Sequence, residues 1–201
     1  MSKSVLISIQ PYWVFLIIAR IMGWNIDKEK IIEVRKNFPK AQDWNRKVKI
    51  YCSKDKKSFG KIPKEYQPFM ERFLCKVIGE FVCDRIDEYK YRLTTYEETP
   101  YKRKYISKEE LAKTCLTICE INDYLNGKNA YLWHISQLKI YDKPKELSVF
   151  RTFTTCGSII AKDMLCNTCC ICSGFCTKKP KKITSPPQSW CYVKELGDLI
   201  K

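Results

Sequence analysis

The sequence predicts an α+β fold, a small mixed β-barrel with peripheral helices. Three observations lead there. Stretches of period-two alternation outnumber helical stretches along the 201 residues. The helices are few, and two of them open on complete capping signals. Hydrophobic residues make up 45% and aromatics 13%, which is enough to bury the core of one domain.

The elements follow in order. "VLISIQP" (5–11) alternates apolar with small polar residues and stops at Pro11, as a strand ending in a turn does. Residues 12–22 read as an apolar helix, broken by Gly23, Asn25 and Asp27. "KIIEVRK" (30–36) is a second strand. Its pleat sets Ile32 and Val34 on one face and Glu33 beside Arg35 on the other. By the same parity Lys30 falls on the face of Ile32. Residues 47–54 alternate Val48, Ile50 and Cys52 against lysines, as a third strand. Residues 54–69 form a basic loop. Residues 76–93 alternate with a phase break near Gly79 and read as one bent strand or two.

A tyrosine-rich polar loop covers 95–106. Ser107 with Glu110, and Thr117 with Glu120, then open two helices, the second stopping at Asn126-Gly127. Residues 130–144 are a strand of mixed phase that ends before Pro144. Residues 145–165 are ambiguous, and 166–182 are rich first in cysteine and then in lysine. "SPPQSWCYVKEL" is an extended proline segment feeding a last strand. The expected organisation is a barrel over 1–150, a cysteine-rich insertion over 151–186, and a final strand over 187–201 that returns to the barrel.

Charge narrows the function. Lys and Arg number 37 against 22 Asp and Glu, a net +15, which favours a polyanionic partner or an anionic membrane surface. Lys54, Lys56, Lys57, Lys102 and Arg103 are interleaved with Tyr51, Phe59, Tyr101 and Tyr105. Lysines there would neutralise phosphates while the rings stack on bases. The apolar run "WVFLIIARIMGW" is too short to span a membrane and contains Arg20. The N-terminus lacks a secretory apolar region and cleavage site, so a cytoplasmic monomer with no membrane contact is expected. There is one histidine, His134, from which no Ser-His-Asp or Cys-His catalytic set can be argued; it reads as a hydrogen-bonded strand residue. No phosphate-binding glycine loop or dinucleotide fingerprint is present.

Twelve cysteines are many for this length. Cys166, Cys169, Cys172 and Cys176 give C-x2-C-x2-C-x3-C, a spacing that suits four-sulfur tetrahedral zinc. The same spacing suits an iron–sulfur cluster, but Thr177 stands where that run has proline. Zinc is preferred, as a structural staple with no open position. Cys156 and Cys170 are alternative ligands. Cys52, Cys75, Cys83, Cys115 and Cys119 read as small buried apolar residues, and Cys191 could face either way.

Lys30, Glu33 and Arg35 in "KIIEVR" match the K-x-x-E-x-R part of the motif of the ASCH domain (activating signal cointegrator homology) in the PUA-like superfamily. "LISIQP", "VIGEFVCDRI", "WHISQLKIYDKPKEL" and "PPQSWCYVKEL" also resemble a group of bacterial and phage ASCH proteins. The resemblance spans most of the chain outside the cysteine-rich segment. The family's glycine lies two residues before the lysine, whereas here Gly23 lies seven before it. The resemblance implies a PUA-like β-barrel, with a Cys-rich inserted loop in this chain. Its cleft would take RNA, a nucleotide or a modified nucleoside, with Gln188 and Trp190 as one wall. In some small members the lysine helps hydrolyse an acylated cytidine, but those carry threonine where this chain has Glu33.

The residues themselves are compatible with a binding cleft. Lys30 and Arg35 could hold phosphate, and Glu33 could accept from a base amino group or orient the lysine. A partly desolvated lysine beside a carboxylate could also serve as a base, making Lys30 and Glu33 the catalytic candidates of a nucleoside amidohydrolase. A third possibility is a non-catalytic factor that engages a host protein through its basic face.

Overall fold

A computed structural model of the chain describes residues 3–39, 44–89, 106–152 and 182–195. Within these residues seven strands form one mixed sheet. They are β1 (Lys3–Ile9), β2 (Ile32–Arg35), β3 (Trp44–Cys52), β4 (Lys76–Tyr89), β5 (Ala130–Glu146), β6 (Phe150–Thr152) and β7 (Trp190–Glu195). Their spatial order is β2-β5-β4-β3-β1-β7-β6. Only β1 and β3 pair in parallel; the other pairs are antiparallel.

Among the described residues the strand ladder is open, not the closed barrel expected from the sequence, because β2 and β6 remain as edges. The sheet is nonetheless strongly curled. Arg35 on β2 donates to the Ser8 carbonyl oxygen on β1 at 2.8 Å. Those strands sit four places apart, which in a flat sheet is roughly 19 Å at the usual spacing of about 4.8 Å. One side chain spans that gap only because the sheet bends round. Asn37, just past β2, meets β7 in the same way: its Oδ1 accepts from Trp190 Nε1 at 2.8 Å. Side chains, not ladder hydrogen bonds, join the two ends of this seam.

The long pair β4 and β5 supplies the bend. Its register shifts between Val77 and Gly79, Glu80 and Val82, and Cys83 and Ile86, and each irregularity adds local twist. Gly79 sits where a Cβ would lie 2.4 Å from the Lys139 carbonyl oxygen, so the strands approach there more closely than any larger residue allows. These shifts explain the mixed phase of both segments. β4 is a single strand, and β5 runs through Pro144 to Glu146 instead of ending before it.

Helix α1 (Pro11–Ile18) starts on a proline suited to a first helical position and buries Val14, Phe15, Leu16, Ile17 and Ile18. The basic loop expected over 54–69 contains short helices α2 (Lys56–Phe59) and α3 (Gln67–Glu71) joined through a 3₁₀ turn, Lys64–Tyr66. Asp55 caps α2, accepting from the Ser58 amide at 2.7 Å. Helices α4 (Lys108–Thr114) and α5 (Ile118–Leu125) open on the two capping boxes read from the sequence. α5 closes at Asn126 in the left-handed conformation. The main core lies between α1 and the strands, around Ile7, Phe15, Ile50, Phe73, Phe81 and Trp133. A second cluster packs Ile121 and Leu125 of α5 on Ile32 and Leu132. Among the described residues no helix is long and apolar enough to cross a membrane.

Candidate functional site

Helix α4 ends at Thr114, and the next residue, Cys115, turns into the left-handed region at φ 58°. The last carbonyls of a helix have no partner within it and carry its negative dipole end. Here the chain just before β2 supplies the donors. The Ile31 amide donates to the Lys113 carbonyl at 3.0 Å. Lys30 Nζ donates to the Thr114 and Ile32 carbonyls, each at 2.9 Å. The third direction of that amine meets Glu33 Oε2 at 3.3 Å. Lys30 is therefore buried, 2% exposed, with two carbonyl acceptors and a carboxylate beside its ammonium group. Strand parity predicts the other face for it. It lies ahead of β2, where the pleat does not govern direction, and its amine turns back to Glu33.

Arg35 continues the network. Its NH2 lies 3.0 Å from Glu33 Oε1 and donates to Ser8, while NH1 donates to the Ser189 carbonyl at 3.5 Å. Glu33 thus sits between two cations. All three side chains are buried. Burial of this much charge is tolerable because the carboxylate opposes both cations and backbone carbonyls take most of the remaining donors. One donor is left over: Arg35 Nε is buried and has no hydrogen-bond partner among the described residues. The set carries one net positive charge.

These residues line a cleft of about 430 Å³, a size usual for small-ligand sites. Trp13 of α1 and Tyr124 of α5 face it from two sides, with Gln10, Ser53 and Gln188 as further polar groups. Lys30 Nζ lies 5.3 Å from the centre of the Trp13 ring. Tyr124 is 41% exposed, and Lys36 Nζ sits 4.7 Å from its ring centre. Loss of hydration around the Tyr124 phenol pushes its pKa up; Arg35 opposes this and Glu33 adds to it.

Of the residues singled out in the sequence, the structure brings together Lys30, Glu33, Arg35 and Gln188. Trp190 is directed elsewhere, giving its indole N–H to Asn37 and packing on Tyr192. Lys54, Lys56 and Lys57 are exposed beside the cleft mouth. Their loop is anchored there by Gln10 to Asp55 at 3.4 Å and by the Tyr12 amide to Ser58 Oγ at 3.1 Å. Lys102, Arg103, Cys156, Cys166, Cys169, Cys170, Cys172 and Cys176 lie outside the described residues. Trp13, Gln10 and Tyr124 carried no signal as site residues. Gln10 and Trp13 stand at the start of α1 and Tyr124 on α5, and only the fold brings those two stretches together.

Two other features bear on chemistry. Asp87, Glu110 and His134 bring potential metal-ligand atoms within 4.8 Å of one another. The Arg85 guanidinium already lies among them, 2.9 Å from Asp87 and 3.4 Å from Glu110, and supplies the counter-charge. His134 is hydrogen-bonded to Asp87 at 2.8 Å, a strand residue with a partner. Cys52 and Cys83 are buried, and burial pushes both thiols up to about 12. Cys75 and Cys119 are exposed instead of buried, since one lies in the turn before β4 and the other on the outer side of α5.

The structural neighbours are ASCH proteins. Three crystal structures of ASCH from Zymomonas mobilis align with nearly the whole chain. Two are single-substitution mutants, at 15% identity, 98% and 96% coverage of the two chains and TM-score 0.46, and at 13%, 99% and 95%, and 0.48. The third, unmutated, aligns at 16% identity, 98% and 94% coverage and TM-score 0.43. At such identities and TM-scores the likeness to these ASCH structures says nothing about the chemistry of the cleft. No protein-family model and no curated protein matches the chain.

Proposed function

We propose that this protein binds RNA or a nucleotide-like ligand in the cleft lined by Lys30, Glu33 and Arg35. The observation that carries this reading is a buried, net-positive network, with the unpartnered Arg35 Nε, on the wall of a cleft flanked by Trp13 and Tyr124. Aromatic faces take bases by stacking, and guanidinium donors take phosphate or carbonyl oxygens. Gln10 and Gln188 offer amide groups that both donate and accept, as reading a base edge requires. The K-x-x-E-x-R resemblance to the ASCH family supports the same reading.

Binding is favoured over nucleoside hydrolysis by one feature. Lys30 donates to two backbone carbonyls and is ion-paired with Glu33. To act as a base its nitrogen would have to abandon contacts that hold α4 to β2. The test is calorimetric titration with the four nucleoside monophosphates and a short RNA. At least one should bind, and Arg35→Lys, which removes the planar fork, should weaken it about tenfold or more. If none binds, or binding ignores both Arg35→Lys and Trp13→Ala, the cleft reading is wrong. Turnover of an acylated nucleoside that is lost in Lys30→Ala would favour the hydrolase.

A further inference from the structure

A second concavity adjoins the cleft. It holds about 620 Å³ and is lined by Tyr12, Trp13, Lys28, Lys61, Cys115 and Thr117, among others. Trp13, Leu116 and Glu120 line both spaces, so the two meet along one shared wall. The groove differs in character from the cleft. Cleft cations are buried and bonded to Glu33 and to carbonyls, whereas Lys28 and Lys61 are exposed. Neither pairs with a carboxylate within 4 Å among the described residues, although Glu120 is near enough for both to hold its carboxyl below the usual range. The Thr117 amide and hydroxyl bonds contribute most to that lowering. Lys61 Nζ also stands 5.9 Å from the centre of the Tyr12 ring, and that ring meets Trp13 edge-on at 5.1 Å. Two exposed cations beside a pair of aromatic rings are what a phosphodiester followed by a base needs.

We propose that the ligand is a single strand at least two nucleotides long, which passes over Trp13 so that its second nucleotide enters this groove. The proposal rests on the nucleotide-binding reading of the cleft. The first nucleotide lies against Lys30, Glu33 and Arg35. The linking phosphate crosses the Trp13–Leu116 wall toward Lys28 and Lys61, and the second base stacks on Tyr12. Glu120 stands on the shared wall and repels phosphate from its own position, which confines the backbone to the lysine side.

The test compares a nucleoside monophosphate, the corresponding nucleoside diphosphate and a dinucleotide, titrated into the intact chain and into a Lys28→Ala/Lys61→Ala double variant. Both lysines are exposed, and the variant should fold as the parent does. The expected result is a dinucleotide bound about tenfold more tightly than the monophosphate, as one further stacked base and phosphate contact provide. In the double variant that advantage should vanish while monophosphate affinity stays unchanged. Equal affinity for monophosphate and dinucleotide overturns the proposal and leaves the cleft reading intact. So does a diphosphate bound as tightly as the dinucleotide, which would assign the lysines to a terminal phosphate. Failure of the monophosphate itself to bind, with the dinucleotide also silent, would sink the cleft reading and this proposal with it.

Discussion

Arg35 of β2 donates to the Ser8 carbonyl oxygen of β1 at 2.8 Å, across strands that share no ladder hydrogen bonds. The same guanidinium holds Glu33 at 3.0 Å. One side chain therefore performs two tasks, closing the seam of an open sheet and setting the charge of the cleft.

Arg35→Ala should be the most damaging single change in the cleft. It frees the Ser8 carbonyl and leaves Glu33 with Lys30 alone. Removing one partner of a buried pair costs about 3–5 kcal/mol. Denaturant unfolding should show that loss. A variant as stable as the parent would mean that the seam is held by other contacts.

Gly79→Ala should disrupt the β4–β5 pair. The added methyl would fall 2.4 Å from the Lys139 carbonyl oxygen and 3.0 Å from Ile140 Cα, both backbone atoms that cannot swing aside. The expected cost is about 1–3 kcal/mol, as for other overpacked sites. Thermal unfolding checks it, and an unchanged midpoint would contradict the close approach.

Glu80 gives a pH dependence. Burial alone would raise its carboxyl pKa, but the hydrogen bond and charge of Lys49, with help from Tyr141, lower it below the usual value. A carboxyl whose folded pKa is depressed stabilises the fold above its unfolded pKa of about 4.3, and that contribution fades as pH falls through the folded value. Lys49→Met should therefore destabilise at neutral pH, with the difference from the parent shrinking as pH falls from the raised carboxyl pKa of the variant to the lowered one of the parent. Midpoints measured from pH 2 to pH 7 decide this. A difference that stays constant over the whole range would remove Glu80 from the account.

Nucleic-acid affinity should fall with salt, and Lys54, Lys56 and Lys57 lie beside the cleft mouth where they can contribute. Changing all three to alanine should flatten the slope of log K against log salt by about 2, given roughly 0.7 per contact on a single strand. Affinity that ignores both salt and the triple change would make these lysines a solubility feature only.

The spacing of Cys166, Cys169, Cys172 and Cys176 predicts about one zinc per chain. Elemental analysis of protein purified without added metal should find it. Iron with acid-labile sulfide would instead indicate a cluster, and neither metal would end the expectation.

The sequence by itself determined what depends on near neighbours along the chain. Ser107 with Glu110 and Thr117 with Glu120 form their capping boxes because each bond spans one helical turn. Glu33 and Arg35 meet because a two-residue period places them side by side. The partners that complete the cleft were decided by tertiary structure. Lys30 joins Glu33 because the end of α4 offers it a carbonyl more than eighty residues away. Trp13 and Tyr124 face one space only once α1 has packed into the core with β1 and β3, and α5 with β2 and β5. The open ladder was equally hidden from the sequence. Alternation reports which face a side chain takes, but closure depends on the bulges that β4 and β5 accumulate against each other. That sum of small twists is a property of the paired strands and of neither strand alone.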